Sequence, residues 1–300
     1  MTSILRAQKP LLGCLQQKAR IYERAAVGRG GCRRYISDRP KFNEGPAFRF
    51  TRPPHPDWKP GDGLPGTSKL ASEWKADEAA GWKTWQLDST SPRDIYRLLT
   101  SAVVPRPIAF VSTISSNGVP NLAPFRYFSM VAHNPPLCSI SFTAGHKDTR
   151  ENIRETREFT VNIISEPFVE AANFTSIDAP EDVDEWVLSG LTPEPSIHVK
   201  TPRVKESAVS LECELYHWHD IRPPNSSTVT HSLVLGHIKT VHARNAVLND
   251  DGTIDPVKFR AVSRLGGTTY ARIGEGFDLP RPSWKKNLDT YATLVKKGSK

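Results

Sequence analysis

No stretch of this chain approaches the roughly 18 consecutive apolar residues that a bilayer-crossing helix requires, so no membrane-spanning helix is expected. Cysteine is scarce too, with four in 300 residues. Cys14 and Cys32 fall near the N-terminus, and Cys138 and Cys213 lie far apart in strand-like contexts. Neither a CxxC pair nor a Cys/His ligand spacing occurs, which argues against a zinc module or a redox dithiol. Cys138 and Cys213 are therefore read as small core residues. A GxSxG elbow is also missing, so His219-Asp220 is not half of a serine-hydrolase triad. His217 and His219 share one strand face, with His231 and His237 on the next strand. No carboxylate at ligand spacing completes a metal set around them. Internal repeats are absent.

Outside its first 35 residues the chain also lacks a basic excess. Residues 1–35 hold eight Lys and Arg against the single acid Glu23, so +7 of the net +8 resides there. The body is nearly neutral, which removes the main support for a nucleic-acid surface. The Arg-rich, acid-poor opening, with Leu11, Leu12 and Leu15 among the cations, has the profile of a mitochondrial transit peptide. "RRYIS" at 33–37 resembles a matrix-protease site, and a mitochondrial, matrix address is the expectation.

Residues 36–86 read as a linker or arm. Seven prolines lie between Pro40 and Pro65, and Trp58, Trp74, Trp82 and Trp85 demand burial on the body or on a second subunit. "GDGLPG" (61–66) matches GxGxxG by chance, since no strand precedes it. The folded domain is expected over 87–280, followed by a basic tail over 281–300. "SPRDIYRLL" (91–99) starts a helix with Ser91 as cap, and "KDTRENIRETREF" (147–159) forms another. Strands are expected at 107–115, 119–131, 137–143 and 159–164, with short helices at 166–175 and 181–188. Two long paired strands follow, at 207–221 and 229–248. Many strands with few helices give a mainly β fold, an antiparallel barrel with helical covers.

Three segments carry candidate chemistry. "NLAPF" (121–125) breaks a strand with Pro124, which has no N–H, so this segment must be an edge, a bulge or a ligand-lined stretch. "HKDT" (146–149) sets Lys147 and the Thr149 hydroxyl at a helix N-terminus, a combination that suits a phosphate. "SRLGGTTYAR" (263–272) carries Gly266-Gly267, where backbone can approach a flat ligand, beside Arg264 and Tyr270.

Together with "RPIAFVST", "NPPL", "EFTVNII" and "EAANFTS", in this order from about residue 88 to 275, these segments resemble the flavin-reductase-like family. The resemblance implies an FMN-binding split β-barrel of antiparallel, Greek-key-like strands, with flavin held at a homodimer interface. It also implies that Ser112, Thr113, Asn121, Leu122, Ala123, Pro124 and Phe125 border the isoalloxazine or ribityl chain. Lys147, Asp148 and Thr149 would lie near the phosphate. Arg264, Gly266, Gly267 and Tyr270 would shape the open face where a nicotinamide or other acceptor docks. One departure stands out: family members usually carry Ser after "NLAPF", near the phosphate, and this chain has Arg126. The implied activity is reduction of bound FMN by NAD(P)H, with electrons passed to a small-molecule or protein acceptor. The alternative is a non-enzymatic flavin-binding or assembly protein on the same dimeric fold. Neither nucleic acid nor membrane is expected as a partner.

Overall fold

Runs of β-branched and aromatic residues, punctuated by turn residues, build one seven-stranded antiparallel sheet. In the computed structural model of this protein, residues 39–66, 68–145, 148–180 and 183–298 are described. The chain divides into two units, Met1–Gly45 and Pro46–Lys300, and the sheet belongs to the second. The leader expected at 1–35 lies outside the described residues.

The strands are β1 (Ala109–Ile114), β2 (Pro120–Phe125), β3 (Phe128–His133), β4 (Pro136–Thr143), β5 (Glu158–Ile163), β6 (Val209–Ile221) and β7 (His231–Ala243). Their spatial order is β2-β1-β5-β6-β7-β4-β3. The long pair β6 and β7 is antiparallel neighbours, as expected. Asn117-Gly118 forms the β1–β2 turn, with Gly118 at φ +83° and Ser115 N–H donating to Val119 O at 2.8 Å.

The stretch 119–131, expected as a single strand, is two. It breaks at Arg126-Tyr127, and its halves occupy opposite edges of the sheet. Strand twist curls the sheet until these edges approach each other, and the chain itself crosses the gap. At the crossing Ser141 N–H donates to Tyr127 O at 2.9 Å, and the Phe125 and Phe142 ring centroids are 4.6 Å apart. No ladder joins β2 to β3, so the barrel stays split.

Among the described residues seven helices accompany the sheet: α1 (Lys69–Ala76), α2 (Pro92–Ala102), α3 (Asp148–Thr156), α4 (Val169–Phe174), α5 (Glu185–Ser189), α6 (Pro256–Phe259) and α7 (Trp284–Gly298). A small hairpin pairs β8 (Val262–Arg264) with β9 (Tyr270–Arg272). Ser91 caps α2 through its hydroxyl, which accepts from Asp94 N–H at 3.2 Å, with Pro92 in the first turn.

Two cores result. Inside the curl lie Val111, Ile140, Phe142, Phe159, Val161 and Val234, joined by Ile153 from α3. Outside it, Phe110 and Leu122 pack with Phe168, Ala172 and Trp186 from the segment that carries α4 and α5. Burial on both faces is why β1 reads "AFVST", with no polar alternation. Cys138 and Cys213, remote in sequence, are both buried free thiols that meet in the inner core, and burial pushes the Cys213 thiol well up. Gly236 sits beside them on β7. A Cβ there would overlap the Phe159 ring and lie 3.2 Å from Cys138 Sγ. Gly236→Ala should therefore lose about 1–3 kcal/mol through overpacking, read as a lower urea midpoint; an unchanged midpoint would mean the Phe159 ring can move aside.

Part of the arm is tied to the body. Arg49–Phe50 pairs in parallel with Glu275–Gly276, and Gly61 packs under Leu294 of α7. The tryptophans are a different matter. Trp82 is 97% exposed and Trp74 68%, so the burial expected of them does not occur within one chain.

Candidate functional site

Strand β2 is an edge, paired only with β1. Leu122 N–H points away from β1, towards the Glu185 carboxylate at 3.4 Å. Strand alternation gives Pro124 the same outward orientation, so its missing N–H costs the ladder nothing. The carbonyls of Leu122 and Pro124 face outward with it.

Along this edge runs a cleft of about 770 Å³. From Asn121 to Phe125 the strand covers about 13 Å, and the two ends of that wall differ in chemistry. At one end Asn121 Nδ2 donates to Thr149 Oγ1 at 2.6 Å, with both residues buried. Asn152 Nδ2 donates to Thr113 Oγ1 at 3.0 Å, and these two pairs seat the first turns of α3 against β1 and β2. Asp148 lines the same end.

At the other end the Arg126 guanidinium lies 5.3 Å from the Tyr96 ring centroid, and the Arg264 guanidinium 4.3 Å from that of Tyr270. Tyr270 donates its hydroxyl to Asn173 Oδ1 at 2.8 Å; burial pushes its phenol pKa up, and the charges of Arg264 and Arg126 oppose that.

Arg264 is set in place by Arg106. Arg106 and Arg264 exchange backbone hydrogen bonds of 3.0 and 2.9 Å. The buried Arg106 guanidinium donates to the carbonyls of Thr100, Val103 (2.7 Å) and Leu265 (2.9 Å), tying the end of α2 to the β8–β9 hairpin.

Of the residues expected at the site, Asn121, Ala123, Pro124, Phe125, Arg126, Asp148, Thr149, Arg264 and Tyr270 line this cleft. Lys147 lies outside the described residues. Ser112 and Thr113 are fully buried beneath it, because β1 is covered on both faces, and the Leu122 side chain turns into the outer core. Gly266 and Gly267 meet other demands. A Cβ on Gly266 would lie 2.9 Å from Ser101 Cβ of α2, and Gly267 adopts φ +63° in the hairpin turn.

Sequence reasoning missed Tyr96, Asn173 and Glu185, all on the cleft wall. Glu185 is 8% exposed, and burial is the main cause that pushes its carboxyl upward, with Asp148 and Asp184 adding to it. Its only sequence signal was the acid at the start of "EWVL", which reads as an ordinary first-turn residue.

Residues 101–258 match the flavin reductase like domain. The Bacillus subtilis protein YwrF is 38% identical over 203 residues, covering 66% of this chain and 98% of that one. Nitrilotriacetate monooxygenase component B from Bacillus cereus superposes with a TM-score of 0.64 at 35% identity, over 66% of this chain and 99% of that one. The 2-nitrobenzoate 2-nitroreductase of Pseudomonas fluorescens superposes with a TM-score of 0.60 at 28% identity, over 67% and 98% of the two chains. The chain belongs to the flavin reductase-like family, and its fold is the split barrel of that family. The relatives correct one expectation. They occur in Aquifex aeolicus, Bacillus subtilis, Halalkalibacterium halodurans and Deinococcus radiodurans, bacteria without mitochondria, and the mitochondrial address is withdrawn on that ground.

Proposed function

We propose that this protein is an FMN-binding oxidoreductase that works as a homodimer, taking reducing equivalents from NAD(P)H and passing them to an acceptor. The observation that carries the reading is the cleft along β2, whose wall changes character from end to end. An outward carbonyl of Leu122 or Pro124 can accept from the imide N–H of a planar heterocycle. Phe125 and Tyr270 offer apolar surface to its ring. Thr149, held by Asn121 at the start of α3, offers a hydroxyl and helix amides to a phosphate. These residues fit FMN. Bound there, the flavin supplies hydride acceptance, and the protein's part is to hold and orient it. Arg126 and Arg264, each against a tyrosine, form a cationic rim at the opposite end that favours an anionic dinucleotide donor. Family membership supports the activity, and the exposed tryptophans of residues 58–85 support a second subunit.

Steady-state NAD(P)H oxidation with added FMN, alongside an FMN titration by fluorescence quenching, tests the proposal. Saturable oxidation with micromolar FMN binding is expected. Binding without oxidation would favour the second reading, a flavin holder without turnover. Absence of both would remove flavin from the cleft.

A further inference from the structure

An acid stands where the proposed site needs an anion to bind. Glu185 opens α5 and turns its carboxylate into the Asn121–Thr149 end of the cleft. Its partner there is the Leu122 N–H at 3.4 Å, a long contact for a charged acceptor. Asp148 faces it from α3, Asp184 lies beside it, and Asn121 and Thr149 are neutral. Among the described residues Glu185 forms no ion pair. A smaller recess of about 230 Å³ opens from the same spot, lined by Glu151, Glu155, Asp148 and Glu185; Arg150 and Arg154 pair with Glu151, so Asp148 and Glu185 set the charge that faces the cleft. Among the described residues that line it, the end of the cleft that offers hydroxyl and helix amides thus carries acids and no cation.

We infer that Glu185 weakens the cleft's hold on the flavin phosphate, grading flavins by charge and keeping FMN exchangeable instead of permanently resident. The inference rests on the reading of this cleft as a flavin site. Its physical basis is like-charge repulsion across a half-screened gap, in which one carboxylate at several ångströms shifts affinity by about three- to tenfold. The effect is specific to the phosphate, because riboflavin presents the same ring and ribityl chain without it. Since burial raises the Glu185 carboxyl, acid conditions neutralise it earlier than an ordinary glutamate, and the penalty fades as pH falls.

The test titrates wild type, Glu185→Gln and Glu185→Ala with FMN and with riboflavin, at low salt, at pH 8 and pH 5. Glutamine keeps an acceptor for Leu122 N–H, so it separates charge from positioning. At pH 8 Glu185→Gln should bind FMN about three- to tenfold more tightly than wild type, with riboflavin unchanged. At pH 5 the gap between wild type and Glu185→Gln for FMN should narrow, because Glu185 gains protons earlier than an ordinary glutamate and the phosphate itself loses charge through its second ionisation near pH 6. Glu185→Ala should follow Glu185→Gln in its preference for FMN over riboflavin, whatever it loses in thermal stability. Equal shifts for both flavins, or none, would overturn the inference. Failure of wild type to bind either flavin would instead overturn the reading of the cleft, and that result appears before any variant is compared.

Discussion

Glu212→Gln should lower the stability of the protein by about 3 kcal/mol at neutral pH. Glu212 lies on β6 with no exposed surface, and its carboxylate holds the loop at 197–199 against the sheet. Oε1 accepts from Ile197 N–H at 2.8 Å and meets His242 Nε2 at 2.5 Å. Oε2 accepts from His198 N–H at 2.5 Å and Val199 N–H at 3.0 Å. Burial alone would raise this carboxyl, but the amide of Ile197, the His242 ring and the amides of Val199 and His198 outweigh it and bring the pKa to about 2. A glutamine would aim its amide nitrogen at one of those donor sets and leave donors facing donors. The sign of the pH effect follows from the depressed value. The stabilisation is complete above the unfolded pKa near 4.5 and is lost as pH falls through about 2. Urea unfolding at pH 7 and pH 3 should show the gap between wild type and variant narrowing at the lower pH. A gap that stays constant would mean that the charge is not what holds the loop.

Arg106→Ala should cost roughly 2–4 kcal/mol. It strands the carbonyls of Thr100, Val103 and Leu265 in a buried place and leaves a void where the guanidinium was. Its effect reaches the cleft, because the hairpin it anchors carries Arg264 and Tyr270. FMN affinity should therefore fall along with the unfolding midpoint. Arg106→Lys should recover little, since one ammonium lacks the planar fork that spans three carbonyls. If lysine restored both stability and affinity, the charge would matter and the fork would not.

These two residues mark where sequence reading stops. The β1–β2 hairpin, the Ser91-capped helix and the long β6–β7 pair were legible, because Asn-Gly, Ser-Pro and strand alternation are local signals. Glu212 in "LECEL" looks like any strand residue until the loop at 197–199, some fourteen positions earlier, folds over it. Arg106 reads as surface charge, and its three acceptors come from two separate elements. The break at Arg126-Tyr127 was hidden for a similar reason, since Pro124 signals an edge but not that the strand leaves one edge to begin the other. At the site, the segments that resembled the family yielded nine wall residues, whereas Glu185 depends on how α5 docks, which no neighbouring residue announces. The tryptophan-rich arm was expected to pack on the body or on a second subunit, and within one chain Trp74 and Trp82 stay exposed.

Pro124 has a further consequence, for the protein's behaviour among its own copies. An open strand edge is a template on which another chain can extend the sheet, and most proteins blunt such edges. Glu185 of α5 meets this edge at Leu122, but beside Pro124 the edge must stay uncovered if a ligand is to lie along it, so a helix or loop cannot shield that part. Pro124 offers an incoming strand a carbonyl but no N–H, which breaks the reciprocal pairing that strand addition requires. At the opposite edge, the register shift between Met130 and Ala132 interrupts β3 in the same way, by bulging Val131 out of line. Both rims of the split barrel are thus poor seeds for aggregation, the β2 rim while leaving its cleft open, and replacing Pro124 by a residue with an N–H would put that protection at risk before it disturbed the fold.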